Sequence, residues 1–342
     1  MTVLYITSDR PGAGKTALAG ALAAQLSSSG TKVGYLKPVS PTPQNDADVT
    51  LIWEGLLAAH HDEGTPVPMP SGEGPLPGAE ARGLEEAIKA LSAANQVVIV
   101  EGPSLANSAG VASSSASDLA ELLDGSVLLM VQYRQDLTPE AVLEACEPFR
   151  QRLLGVLINS VTRYKELEVR QRVGPALESQ GVRFLGAIPE DRVMLSVTVG
   201  QIAQHLDGRW VIGEEKAQDL VEEFLIGGNI MDQGITYFGR TENKAVIVRG
   251  DRPDIQLAAL STPTICLVLT GGHEPIQYVY HQAEEQEVPM LVVQADTMTT
   301  ADALDAMIEK STVHHPRKLH RYQELVQQHA DMSVITTDGQ AG

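Results

Sequence analysis

A chain of 342 residues is too long for one compact core, so two domains are expected. Its 43% hydrophobic and 20% charged residues form an ordinary globular balance and exclude wholesale disorder. Lys and Arg total 25 against 44 Asp and Glu, and a net charge of −19 argues against general binding to nucleic acid or an anionic membrane. The opening, Met1-Thr2-Val3-Leu4-Tyr5-Ile6-Thr7, has no basic stretch or cleavage site of a signal peptide. No apolar run approaches the length of a bilayer span. A soluble, cytoplasmic protein without membrane insertion is expected. Cys146 and Cys266 lie in different halves without paired spacing, which excludes a disulfide scaffold and a cysteine zinc site.

Along the first two hundred residues, short apolar runs alternate with helix-period segments. Val3-Leu4-Tyr5-Ile6 reads as a buried strand, followed by a Gly-containing turn and a helix with Leu18, Ala21, Leu22 and Leu26 on one face. Gly30 is the stop. Further strands are predicted at 32–36, 97–100, 127–131, 153–158 and 183–187, with helices at 84–93, 139–149 and 165–180. This alternation predicts an α/β domain with a mainly parallel sheet covered on both faces, binding ligands beyond the strands' carboxyl ends. The proline-rich stretch 65–77 reads as a surface loop, and 113–117 as a second one. Near 208–213 the pattern restarts: a helix from Ala217, strands at 245–248, 265–269 and 290–293, and helices at 254–260, 275–285 and 300–309. A last amphipathic helix spans 317–329. The expected division is 1–210 for the first domain, 211–330 for a smaller α/β domain, and 331–342 for a tail.

Ser8-Asp9-Arg10-Pro11-Gly12-Ala13-Gly14-Lys15-Thr16 stands between the first strand and the first helix. A tight glycine loop there points backbone N–H groups at phosphate oxygens. Gly12, Ala13 and Gly14 form the cradle, Lys15 supplies a cation for the β and γ phosphates, and Thr16 supplies a hydroxyl to Mg²⁺. Asp9 departs from the usual glycine. Arg10 lies where one subgroup of such ATPases carries a lysine that crosses a dimer, but the plainer reading is an exposed arginine. The hard-oxygen candidates for Mg²⁺ are Thr16, one carboxylate of Asn45-Asp46-Ala47-Asp48, and Glu101 at the end of an apolar strand. Asp46 and Asp48 also read as acids at a helix N-terminus.

The loop, with Gly34-Tyr35-Leu36-Lys37-Pro38-Val39, Val100-Glu101-Gly102 and Gly155-Val156-Leu157-Ile158-Asn159, resembles dethiobiotin synthetase over most of residues 1–205. The resemblance implies a P-loop ATPase fold binding ATP. It gives Lys37 a role at the transferred phosphate, and Asp48 (with Asp46 the alternative) and Glu101 roles at the metal. It also implies that Asn159 reads adenine and that Pro189, in Ile188-Pro189-Glu190, flanks the adenine pocket. The family's small-residue substrate loop is replaced by Pro103-Ser104-Leu105-Ala106-Asn107-Ser108, so biotin synthesis is not implied.

Farther on, Gly250-Asp251-Arg252-Pro253-Asp254 and Leu269-Thr270-Gly271-Gly272 resemble a DRTGG domain over roughly 215–325, with Pro253 in place of the threonine. Asp251, Thr270, Gly271 and Gly272 follow strands. The Gly271 and Gly272 amides with Arg252 could bind an anion; equally, these are tight turns with Arg252 paired internally. That resemblance implies nucleotide sensing or dimerisation. In tandem, the two regions are similar to the N-terminal regulatory half of long phosphate acetyltransferases. Since the chain stops at Gly342, a free-standing regulatory region without acetyl transfer is expected.

His60-His61-Asp62-Glu63, His314-His315 and His320 read as solvated surface rather than metal sites. Arg317-Lys318 and His320-Arg321 read as the solvent face of the last helix, with Leu319, Tyr322, Leu325 and Val326 inward. The function expected is an Mg·ATP-binding regulatory or assembly protein with slow hydrolysis, homo-oligomeric and open to a protein partner. The alternatives are a ligase of the dethiobiotin synthetase type phosphorylating a small carboxylate or carbamate through Lys15 and Lys37, and a nucleotide-responsive scaffold that never hydrolyses.

Overall fold

The computed structural model describes residues 2–58, 78–107, 109–228, 234–308 and 310–335. The expected loop at 65–77, the His60–Glu63 group, Ser108 and the end of the tail lie outside the described residues. The chain forms two compact units: unit 1 runs to Glu190 and resumes at Val313, and unit 2 is Asp191–Thr312.

Unit 1 is built on a six-stranded parallel sheet of β1 (Thr2–Ser8), β2 (Val33–Leu36), β3 (Val97–Ser104), β4 (Ser126–Gln132), β5 (Leu153–Val161) and β6 (Phe184–Pro189). Their order is β2-β3-β1-β4-β5-β6. The strands are continuous apolar runs, such as Val97-Val98-Ile99-Val100, because helices cover both faces. β1 lies between β3 and β4; the connection from β1 runs one way, to β2, and that from β3 runs the other, to β4. This is the switch point at which such sheets open a crevice. Register sets Ile6 beside Glu101 and Gln132 beside Asn159, which brings both polar residues to the carboxyl edge.

The last helix, Pro316–His329, belongs to unit 1, not to the second domain where the expected 211–330 span placed it. It packs on the first helix, Lys15–Ser28, and on β6. Leu319, Tyr322, Leu325 and Val326 are buried. Lys318 is also buried, at 3% exposure, which corrects its expected place on the solvent face. Close approach at the helix's carboxyl end requires a glycine on β6. A Cβ on Gly186 would lie 2.2 Å from the His329 carbonyl oxygen, and the residue's φ is +148°.

In unit 2, β7 (Val197–Thr198), β8 (Arg209–Ile212), β9 (Leu220–Val221), β10 (Glu223–Gly227), β11 (Lys244–Arg249), β12 (Thr264–Thr270) and β13 (Met290–Val292) form two sheets. The larger has the order β10-β11-β12-β13-β8, parallel except for β8. Side chains alternate between two cores: Ala245, Ile247, Cys266 and Val268 on one face, and Val246, Val248, Leu267 and Leu269 on the other. The helix expected from Ala217 is instead a pair of strands, β9 and β10. Leu220-Val221 and Phe224-Leu225-Ile226 are β-formers, and β10 finds a parallel partner in β11. The expected boundary at 210 also falls inside β8, whereas the units divide after Glu190.

Candidate functional site

Gly14 carries the turn from β1 into the first helix. It is left-handed at φ +95°, ψ 22°, and a Cβ there would sit 2.5 Å from the Asn159 amide nitrogen. The helix it starts has no acidic residue in its first turn, so its positive end is left for an anion. Asp9 ties the loop to the sheet: its carboxylate accepts from the Gln132 N–H at 3.0 Å, and its own N–H donates to the Met130 carbonyl at 3.0 Å. A glycine could not make the first of these bonds. Arg10 pairs with Asp9 at 3.1 Å.

Lys15 Nζ donates to the Ser8 hydroxyl at 3.0 Å. Burial lowers its pKa below the ordinary lysine value; Glu101 opposes that fall and Lys37 adds to it. An ammonium without a full counter-charge in a desolvated loop suits a polyanion. The Thr16 hydroxyl donates to Glu101 Oε1 at 2.7 Å, and the Tyr35 hydroxyl donates to Oε2 at 2.7 Å. Glu101 is 4% exposed, and burial with the nearby Asp48 charge raises its pKa. Thr16 and Glu101 are adjacent hard oxygen donors of the kind Mg²⁺ takes, so the residues present fit that ion.

Lys37 meets both acids of the Asn45-Asp46-Ala47-Asp48 segment: Asp46 at 2.7 Å, and Asp48 directly. Burial alone would lower Lys37, but Glu101, Asp48 and Asp46 outweigh it and raise it. Asp46 also caps the helix Ala47–Ile52, accepting from the Asp48 and Val49 amides at 2.9 and 3.1 Å, so it serves the helix-terminal role as well. Burial would raise Asp48, yet His314 and Lys37 overcome it and hold the carboxyl at about 2. His314 stands at the surface, as expected, and its Nε2 also lies 2.7 Å from Asp48 Oδ1. Sequence offered no signal for this contact, since 266 residues separate the pair. Among the described residues there is no cluster of three or more His, Cys, Asp and Glu arranged to hold a metal by themselves.

Asn159 is buried, and both ends of its amide are engaged. Nδ2 donates to the Ala13 carbonyl at 2.8 Å, and Oδ1 accepts from the Tyr322 hydroxyl at 3.1 Å. The expected base-reading amide is thus committed to the phosphate loop. Pro189 ends β6 beside Val161.

The unit 2 candidates behave differently. Arg252 pairs with Asp254 at 2.8 Å, and Asp251 pairs with Arg249 through Oδ1 at 2.9 Å. The Gly271 and Gly272 amides donate to the Ala295 and Val293 carbonyls, each at 2.9 Å, and the Thr270 hydroxyl meets that of Thr297 at 2.9 Å. The anion site expected from these five residues is therefore not assembled: its amides close a turn and its arginine is paired locally.

Residues 2–196 match the family model described as AAA domain, and residues 201–307 match that of the DRTGG domain. The chain belongs to the AAA domain family. It is similar to phosphate acetyltransferase of Pseudomonas putida, at 25% identity over 98% of this chain and 51% of that protein. It is also similar to the enzyme of Deinococcus radiodurans, at 25% identity over 97% and 50%. The chain spans about half the length of these curated relatives. Among solved structures, the MinC:MinD cell division protein complex of Aquifex aeolicus aligns at 17% identity, with a TM-score of 0.37, over 57% of this chain and 84% of that one. The CBS and DRTGG domains of Clostridium perfringens pyrophosphatase, complexed with diadenosine tetraphosphate, align at 15% identity and a TM-score of 0.29, over 53% and 77%. Among the described residues, no helix is long and apolar enough to cross a membrane.

Proposed function

We propose that unit 1 binds ATP with Mg²⁺ and that the protein is a regulatory or assembly ATPase with slow hydrolysis, its DRTGG unit serving as the sensing module. The observation that carries the reading is the P-loop itself. A left-handed Gly14 opens a helix free of N-terminal acids, and the half-buried Lys15 ammonium follows it, next to Thr16, whose hydroxyl bonds Glu101. Such a loop receives a triphosphate through backbone N–H groups and one cation. Thr16 and Glu101 would hold Mg²⁺, which supplies neutralisation of phosphate charge. Slow turnover is supported by Lys37: a second cation would stabilise charge building on the transferred phosphoryl group, but two carboxylates occupy it here. In this reading the protein works in the cytoplasm as a homo-oligomer with a protein partner.

The test is calorimetric titration of the purified chain with Mg·ATP, run alongside Lys15→Ala. The wild type should bind and Lys15→Ala should lose at least about a hundredfold in affinity, since a buried charge-assisted contact to phosphate is removed. Absent binding by the wild type, or equal binding by the variant, overturns the proposal.

A further inference from the structure

The last helix reaches the phosphate loop through two hydrogen bonds in series. The Tyr322 hydroxyl donates to Asn159 Oδ1 at 3.1 Å, and Asn159 Nδ2 donates to the Ala13 carbonyl at 2.8 Å. Tyr322 is 2% exposed, Asn159 5% and Ala13 0%, so water does not compete for either bond. The fit extends to Gly14, where any side-chain carbon would collide with the Asn159 amide nitrogen. The Ala13 carbonyl only accepts and so requires the NH2 end of the amide, while the Tyr322 hydroxyl holds the oxygen end and keeps the side chain from turning about its final bond.

The tyrosine is itself fixed at both ends of its helix. At the amino end, His314 precedes Pro316 and bonds to Asp48. At the carboxyl end, Arg170 donates to the His329 carbonyl at 3.1 Å and the Ala187 carbonyl at 3.0 Å, and Asp331 N–H donates to the Leu185 carbonyl at 2.7 Å. The helix is entered from Thr312, so support for the loop comes from the stretch of chain that leaves unit 2.

We infer that Tyr322 is a positioning residue of the phosphate loop, acting through Asn159 to hold the Ala13–Gly14 peptide in the shape that receives a polyanion. For affinity, the inference rests on the nucleotide reading above. For loop geometry, it does not.

The experiment uses the full chain and Tyr322→Phe, which keeps the buried ring and removes only the hydroxyl. In the free protein, amide hydrogen exchange across residues 9–16 should speed by about three- to tenfold, the span of one lost buried hydrogen bond. Mg·ATP affinity should weaken by a similar factor. Leu325→Ala, which thins the helix packing but keeps the hydroxyl, should lower the melting temperature without selectively speeding exchange in the loop. Asn159→Ala provides a second route to the same loosening, and adding Tyr322→Phe to it should change nothing further. Unchanged loop exchange in Tyr322→Phe, or equal loop loosening in Leu325→Ala, overturns the inference. If the wild type binds no Mg·ATP, the nucleotide reading fails and the exchange data alone decide this one.

Discussion

In unit 1, the groups at the sheet's carboxyl edge find partners far away in the chain. Thr16 reaches Glu101, Tyr35 reaches the same carboxylate, His314 reaches Asp48, and Tyr322 reaches Asn159. In unit 2, the corresponding edge pairs within itself: Arg249 with Asp251, and Arg252 with Asp254. Contacts between distant segments exist only in the folded state, and they gather charge that water would otherwise solvate. Pairs two residues apart form on an exposed turn at little cost and little gain. A motif can therefore be equally recognisable in two places while only one of them concentrates uncompensated charge.

Cutting one member from each kind of pair puts this contrast at risk. Lys37→Ala strands the largely buried Asp46 and Asp48 carboxylates, and should cost about 3 kcal/mol in urea unfolding. A loss under about 1 kcal/mol would mean that the unit 1 cluster is no more consequential than a surface pair.

A smaller effect is expected at the two buried lysines, Lys244 and Lys318, both of which burial lowers. Lys244, in unit 2, donates to the Thr241 and Pro263 carbonyls at 3.1 and 2.5 Å. Lys318, in unit 1, is pushed by burial down to about 8 from 10.5. Between those two values the unfolded chain holds more protons than the folded one, so stability rises with pH across the window. Urea midpoints measured at pH 8 and pH 10 should show that rise flattened in Lys318→Met. An equal rise in the variant would assign the slope to other groups.

The smallest effect is expected at the DRTGG turn. Arg252→Ala should move the melting temperature by less than about 2 °C, as exposed pairs do. A drop of several degrees would show the turn to be more than a local pairing.

Much of this architecture was legible in the sequence. Val97-Val98-Ile99-Val100 has no reading but a buried strand, and Gly12-Ala13-Gly14-Lys15-Thr16 between strand and helix fixes a phosphate loop before any coordinate is known. The resemblance to dethiobiotin synthetase also led to Lys37, Asp48 and Glu101, which the fold brings into one electrostatic cluster around Lys15. What stayed hidden were destinations. The amphipathic pattern of Leu319, Tyr322, Leu325 and Val326 tells which side of the last helix is buried, but not that the surface it meets is the first helix of the chain. For the same reason nothing in the sequence linked His314 to Asp48. The strands β9 and β10 were missed because their acidic setting suggests a helix, and only their partners, β7 for the first and β11 for the second, settle the matter. Asn159 shows a further limit: it stands near the carboxyl end of β5, but the bonds its amide makes depend on a tyrosine from the far end of the sequence.

The return of the last helix to the first unit has a practical consequence for dissecting the protein. A fragment cut at the limits of the AAA match, residues 2–196, would lack the wall that covers the first helix and β6, and would leave the Asn159 amide oxygen without the hydroxyl that bonds it. The segment matched as DRTGG interrupts its neighbour rather than following it. A faithful excision of unit 1 would join Glu190 to Val313 and keep both of its segments.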